Sequence, residues 1–129
     1  MSDEVSVLIV DDQAPFRIAA AAVVRATKGF VVIGEARSGE EAVEFANTEE
    51  PQLVLMDINM DGMGGIEATR RLVEQHPSTR VVLLSTYDVD SLPADAATSG
   101  AIAYVHKEQF GPSVLMSAWS GKLPTSFKS

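Results

Sequence analysis

Five short apolar runs, each stopping on a polar residue, constrain this chain more than any other feature of its sequence. They occupy residues 5–10, 30–36, 52–56, 80–84 and 101–105. The clearest is Leu53-Val54-Leu55-Met56. It ends abruptly on Asp57 and passes into the polar loop Ile58-Asn59-Met60-Asp61-Gly62. A continuous apolar run, rather than an alternating one, marks a strand buried on both faces, and such strands belong to parallel sheets. In open α/β sheets, ligands bind at the carboxyl ends of the strands. Asp57 is therefore the expected centre of a site.

Helical patterns fill the gaps between the runs. Pro15 suits a first helical turn, where its missing N–H is no loss. Phe16, Ala20, Val23, Val24 and Thr27 fall on one face, and Gly29 reads as the cap. Ser38-Gly39-Glu40-Glu41 has capping-box spacing and opens a helix over 39–48. Pro51 breaks before the third strand. A helix over 65–76 turns Ile66, Thr69 and Val73 inward, and Pro77 stops it. The Ala-rich stretch 90–99, with Pro93 in its first turn and Gly100 behind it, reads as a fourth helix. Residues 112–121 read as the last, with Leu115, Ala118 and Trp119 on one face. The pattern predicts five βα units in one α/β domain over 1–121, followed by a polar tail over 122–129. A doubly wound five-stranded parallel sheet of order 2-1-3-4-5, with helices on both faces, accommodates it.

Composition removes several classes of function. The 129 residues include no Cys and two His, which excludes a thiolate metal site and argues against zinc. A net charge of -8 repels phosphate backbones, so this segment is not expected to bind nucleic acid directly. No stretch approaches the ~20 apolar residues of a membrane span. Met1-Ser2-Asp3-Glu4 is too polar for a signal peptide, so the expected location is the cytoplasm.

Chemistry gathers at the strand ends. Strand one ends on Asp11 and Asp12, strand three on Asp57, strand four on Ser85 and Thr86, and strand five on His106 and Lys107. In this strand order, one and three are neighbours ~4.8 Å apart, so three carboxylates share a crevice. Such a group repels itself, which raises pKa values or demands a cation; hard oxygen ligands that welcome phosphate suit Mg²⁺. A hydroxyl on one flank and a lysine on the other suit a phosphoryl group. The implied reaction is phosphoryl transfer to the Asp57 carboxylate.

The segments that carry this pattern are Val7-Leu8-Ile9-Val10-Asp11-Asp12-Gln13, Leu55-Met56-Asp57-Ile58-Asn59-Met60, Gly65-Ile66-Glu67-Ala68-Thr69, Leu83-Leu84-Ser85-Thr86-Tyr87-Asp88, and Gly100-Ala101-Ile102-Ala103-Tyr104-Val105-His106-Lys107. Together they resemble the response regulator receiver domain of bacterial two-component systems. The resemblance is nearest to the branch with a C-terminal LuxR-type helix-turn-helix, and runs from Val5 to about Gly121. It implies that Asp57 accepts phosphate from a sensor histidine kinase and becomes a 4-aspartylphosphate. It implies Mg²⁺ held by Asp11, Asp12, Asp57 and the Asn59 carbonyl. Ser85 and Tyr104 would be the switch pair and Lys107 the catalytic lysine. Phosphorylation and dephosphorylation would be self-catalysed, with no other enzyme activity. The output face, and a homodimer contact, would be the fourth helix, fifth strand and fifth helix. A stand-alone receiver and the N-terminal part of a transcription regulator both fit.

The chain departs from that family in places. Asp61 stands where proline is usual, adding a carboxylate beside the metal site. Glu108 follows Lys107 where a cis proline is common, so no cis bond is expected there. Other readings fit less well. Asp57-x-Asn59-x-Asp61-Gly62 begins like a calcium loop, but its twelfth position is Ala68. Gly62-Met63-Gly64-Gly65 lacks the Lys of a phosphate-binding loop. A haloacid-dehalogenase-type hydrolase would need an acid where Asn59 stands. A receiver-fold binding module independent of phosphate would not need the intact Asp, Ser and Lys set. His76 suits a helix C-terminus, His106 a strand end, and Trp119 a core or interface anchor.

Overall fold

The computed structural model describes residues 4–87 and 91–121. The strands are β1 (Val5–Val10), β2 (Phe30–Ala36), β3 (Leu53–Asp57), β4 (Arg80–Ser85) and β5 (Ala103–His106). The helices are α1 (Ala14–Ala26), α2 (Gly39–Glu49), α3 (Gly64–Gln75) and α4 (Pro112–Ser120). All pairings are parallel and the sheet order is β2-β1-β3-β4-β5, as the sequence pattern predicts.

The two faces of the sheet are read directly from alternate residues. Val7, Ile9, Leu53, Leu55, Val82, Leu84, Ala103 and Val105 pack with Ala20, Ala21 and Val24 of α1 and with Leu115 and Ala118 of α4. Leu8, Val10, Val54, Met56, Val81, Leu83 and Tyr104 pack with Ala42 and Ala46 of α2 and with Ala68 and Leu72 of α3. Every residue of β3 is buried, which explains why its sequence is uniformly apolar up to Asp57.

The edge strand β2 breaks this alternation. Val7 pairs with Val32 but Leu8 pairs with Gly34, so Ile33 is an extra, bulged residue. A one-residue insertion turns the following side chains to the other face. Accordingly Phe30 and Val32 pack on the α1–α4 side, whereas Ala36 packs on the α2–α3 side. Gly34 lies under Phe45, where a Cβ would meet the ring at 2.5 Å.

Two boundaries shift. Helix α1 ends at Ala26 with Thr27 as its cap, whose hydroxyl donates to the Val23 carbonyl at 2.6 Å. Gly29 instead takes a positive φ in the turn beyond. The box at α2 forms, with Ser38 Oγ accepting from Glu41 N at 3.1 Å. The Glu41 carboxylate, however, reaches back to the N–H of Arg37 rather than that of Ser38.

The expected fourth helix is not formed among the described residues. Asp90 lies outside them, and the rest of 90–99 holds a single 3₁₀ turn at Ala94–Ala96. Pro93 enters it with an extended backbone, ψ 142°. Thr98 and Ser99 hydroxyls then donate to the Asp95 and Ala96 carbonyls, offering the backbone an alternative to helix. In that turn only Ala96 is buried, too little apolar surface to hold a short helix in place. The predicted tail, 122–129, lies outside the described residues. No cis peptide occurs among those described, in keeping with Glu108 after Lys107.

Candidate functional site

Three strand ends deliver the crevice. Asp11 follows β1 and is wholly buried, its N–H bonded to the Ala36 carbonyl at 3.0 Å. Its Oδ1 accepts from Gln13 N at 2.9 Å, which turns the chain into α1. Asp12 beside it is exposed. Asp57 closes β3 and is buried. Oxygens of these three carboxylates all lie within 4.8 Å of one another.

Lys107, in the 3₁₀ turn Lys107–Gln109 after β5, reaches back across the sheet edge. Its Nζ lies 2.7 Å from Asp11 Oδ2 and 3.3 Å from Asp57 Oδ1. The same ammonium sits 4.5 Å from the centroid of the Phe16 ring, which Phe110 flanks. One half-buried cation therefore faces two buried carboxylates. Burial pushes the Asp57 carboxyl from 3.8 to about 6, Asp11 adds to the rise, and Lys107 opposes it.

The remaining predicted residues surround Asp57. Asp57 pairs in register with Leu84, so Ser85 lies one step beyond on the neighbouring strand. Ser85 is buried and its Oγ accepts from Tyr87 N at 3.0 Å. Tyr104 points inward, its hydroxyl donating to the Ser85 carbonyl at 3.2 Å and to the Tyr87 carbonyl. The Asn59 N–H donates to Asp57 Oδ1 at 3.4 Å. A shallow pocket of about 290 Å³ opens here, lined by Asp12, Ile58, Asn59, Met60 and Asp61. Asp61 thus borders the same opening as Asp12 but stands outside the close group of three carboxylates. Thr86 is exposed.

The sequence of residues 7–119 matches the response regulator receiver domain family. The chain belongs to that family. Its receiver is 35% identical to the response regulator UvrY of Escherichia coli over 121 residues, covering 92% of this chain and 56% of UvrY. It is 38% identical to the response regulator GacA of Pseudomonas viridiflava over 103 residues, 80% of this chain and 48% of GacA. The receiver thus spans about half the length of these curated relatives. Among solved structures, a LuxR-family two-component response regulator from an Aurantimonas species superposes with a TM-score of 0.81 at 27% identity. The match covers 91% of this chain and 83% of that one. The signal receiver domain of the putative response regulator NarL from Mycobacterium tuberculosis gives 0.79 at 28%, covering 91% and 98%. The resemblance drawn from the sequence, down to the LuxR branch, is therefore right.

Some residues of the receiver's crevice carry no sequence signal. Arg17, six positions after Asp11, donates to the Asp11 carbonyl at 2.7 Å and pairs with Glu35 at 3.3 Å. Tyr87 donates its hydroxyl to Asn59 Oδ1 at 3.3 Å, joining the loops after β3 and β4. Glu40, in the first turn of α2, accepts from Met63 N at 3.3 Å and braces the same loop from behind. Gly62, with φ +80°, leaves room for that carboxylate. His76 is far in sequence role from the crevice: it bonds Asn47 at 2.9 Å and approaches Glu50. His106 takes the N–H of Glu108 at the end of β5. Trp119 packs edge-on to Phe30 with the Arg80 guanidinium 4.4 Å from its ring, an anchor for α4.

Proposed function

We propose that this receiver takes a phosphoryl group onto Asp57 from the phosphohistidine of a sensor histidine kinase. A carboxylate oxygen of Asp57 forms a bond to phosphorus as the phosphorus–nitrogen bond of the donor breaks, and the imidazole departs. The observation that carries this reading is the crowding of Asp11, Asp12 and Asp57 against one lysine. That arrangement leaves excess negative charge, which a divalent ion relieves. The donor set is all oxygen and partly open to solvent through the pocket at Asp12, which suits Mg²⁺. Asp11, Asp12, Asp57 and the Asn59 carbonyl would hold it. When bound, the ion would offset charge on the transferring group.

Lys107 would then balance the product oxygens, and Ser85 would supply a hydroxyl to them. The Ser85 carbonyl already accepts from Tyr104, so movement at Ser85 is felt by that ring. Switching would be a population shift read on β5, α4 and the turns before β5, a face that would serve a homodimer. No helix among the described residues is long and apolar enough to cross a membrane. We place the chain in the cytoplasm, acting as a signalling domain that performs only its own phosphorylation and dephosphorylation. Regulation of transcription would fall to a DNA-binding effector domain joined to the receiver.

The test is mass spectrometry of the chain and of Asp57→Asn after incubation with acetyl phosphate and Mg²⁺. The expected result is one base-labile adduct on the parent, absent from the variant. Equal labelling of both would overturn the assignment.

A further inference from the structure

Helix α2 carries an outward stripe that the crevice does not use and the fold uses only in part, through Phe45 over Gly34 and Glu41 at the helix start. Gly39, Ala42 and Ala46 are buried against the sheet. The outward stripe, at helical spacing, is Glu41, Glu44, Phe45, Thr48 and Glu49. With Ile33, the bulged residue of β2, it lines a groove of about 670 Å³. Ile33 is 37% exposed and Phe45 is only partly buried.

The groove has an apolar floor and an acidic rim without cations. The sequence of α2, GEEAVEFANTE, contains four glutamates and neither Lys nor Arg. Glu41 bonds only a backbone N–H, and Glu44 and Glu49 have no ion-pair partner among the described residues. We propose that this face of α2 and β2 docks a basic amphipathic helix from a partner protein. Its apolar stripe would cover Ile33 and Phe45, and its Lys or Arg residues would meet Glu41, Glu44 and Glu49. From Glu41 to Glu49 the rim runs about 12 Å, which two turns of helix match.

The charge and the bulge exclude other occupants. A second copy would bring the same three rim glutamates against these three. An anionic lipid surface is repelled. A strand adding to β2 meets the bulge at Ile33, which interrupts the ladder.

The experiment is a titration of the full chain, observed by amide NMR, with three synthetic peptides. One is a Leu/Lys peptide with leucines at i, i+3, i+4 and i+7. The second keeps that pattern with Glu for Lys, and the third has the Leu/Lys composition shuffled off the helical period. The expected result is saturable shifts at Ile33, Glu44, Phe45 and Glu49 with the first peptide only, weakening as salt rises. Glu44→Lys with Glu49→Lys, both on the exposed face, should weaken binding about tenfold or more with unchanged thermal unfolding, and Ile33→Ser should weaken it with the charge kept. The proposal fails if no saturable shift occurs or if shifts centre on the Asp57 crevice. It also fails if the shuffled or acidic peptide binds as well, or if the free chain self-associates through these residues. None of these outcomes involves phosphate on Asp57.

Discussion

Lys107 stands closer to Asp11 than to Asp57, at 2.7 Å against 3.3 Å. Its first partner is thus a carboxylate with no exposed surface. Removing Lys107 strands the buried Asp11 charge; a fully buried pair loses about 3–5 kcal/mol that way, an upper figure here because Lys107 is half-buried. Lys107→Met should lower stability by up to that amount in metal-free buffer. Mg²⁺ should restore more to the variant than to the parent, because the variant has more uncompensated charge to relieve. For the parent, a hundredfold excess over Kd adds about 2.7 kcal/mol if only the folded chain binds. Urea unfolding with and without Mg²⁺ measures both. A melting point indifferent to Mg²⁺ in both chains would mean that the three carboxylates form no metal site.

Asp57 gives a pH dependence of unusual sign. Its carboxyl is raised from 3.8 to about 6 in the folded chain, chiefly by burial. The folded state therefore holds a proton that the unfolded state has released between about pH 4 and pH 6. On account of this group, stability is greatest below about pH 4 and is lost as pH climbs through about 6. A rise of that size is equivalent to about 3 kcal/mol as an upper figure. Without metal, Asp57→Asn should be more stable than the parent at pH 7 by up to that amount, and the gain should vanish at pH 3.5. Thermal unfolding of both chains across this range is the check, and a difference that does not change with pH would refute the assignment.

The start of α3 depends on one missing methyl group. A Cβ on Gly65 would collide with the Asp57 carbonyl oxygen and lie 2.9 Å from Ile58 Cα. Both are backbone atoms at the end of β3, so neither can swing away. Gly65→Ala should therefore destabilise the domain by about 3 kcal/mol or more. Gly64→Ala is the contrast. There a Cβ meets nothing within 4 Å, and the penalty comes only from φ +77°, about 1–2 kcal/mol. Equal losses in the two variants would show that helix entry, rather than the close approach to β3, sets the tolerance at this corner.

What could be read in the sequence shares one property: it depends on a residue's place in a strand. Asp11, Asp57 and Lys107 end apolar runs, and the parallel order then brings them together without further information. The place of Ser85, one step beyond Leu84 opposite Asp57, follows from the same order, whereas the close packing at Gly65 does not. The fourth crossover was not legible, because alanine propensity favours helix there while Pro93 and the Thr98 and Ser99 hydroxyls close local bonds instead. The bulge at Ile33 hides in a run, Phe30-Val31-Val32-Ile33, that reads as a uniform strand. The braces from Glu40, Arg17 and Tyr87 join segments whose spacing in sequence bears no relation to their distance in space.

If the proposed kinase docks on α1, partner contact should be separable from chemistry at Ile18. Helix α1 begins two residues beyond Asp12, and Phe16 on its first turn covers Lys107. Ile18 points the other way and is 69% exposed, the most exposed large apolar side chain among the described residues. An isoleucine left in water on the helix that follows Asp12 would suit a surface that the proposed kinase covers during transfer. Ile18→Glu should change stability by no more than about 0.5 kcal/mol, since the side chain buries little. It should leave phosphorylation by acetyl phosphate unchanged, because that donor touches only the crevice. Transfer from the partner kinase should slow about tenfold or more, the size expected when a central apolar contact of an interface is replaced by a charge. Phosphotransfer followed over time from each donor separates the two effects. Equal slowing with both would place Ile18 in the reaction rather than at the docking surface, and no slowing with either would put the kinase on another face.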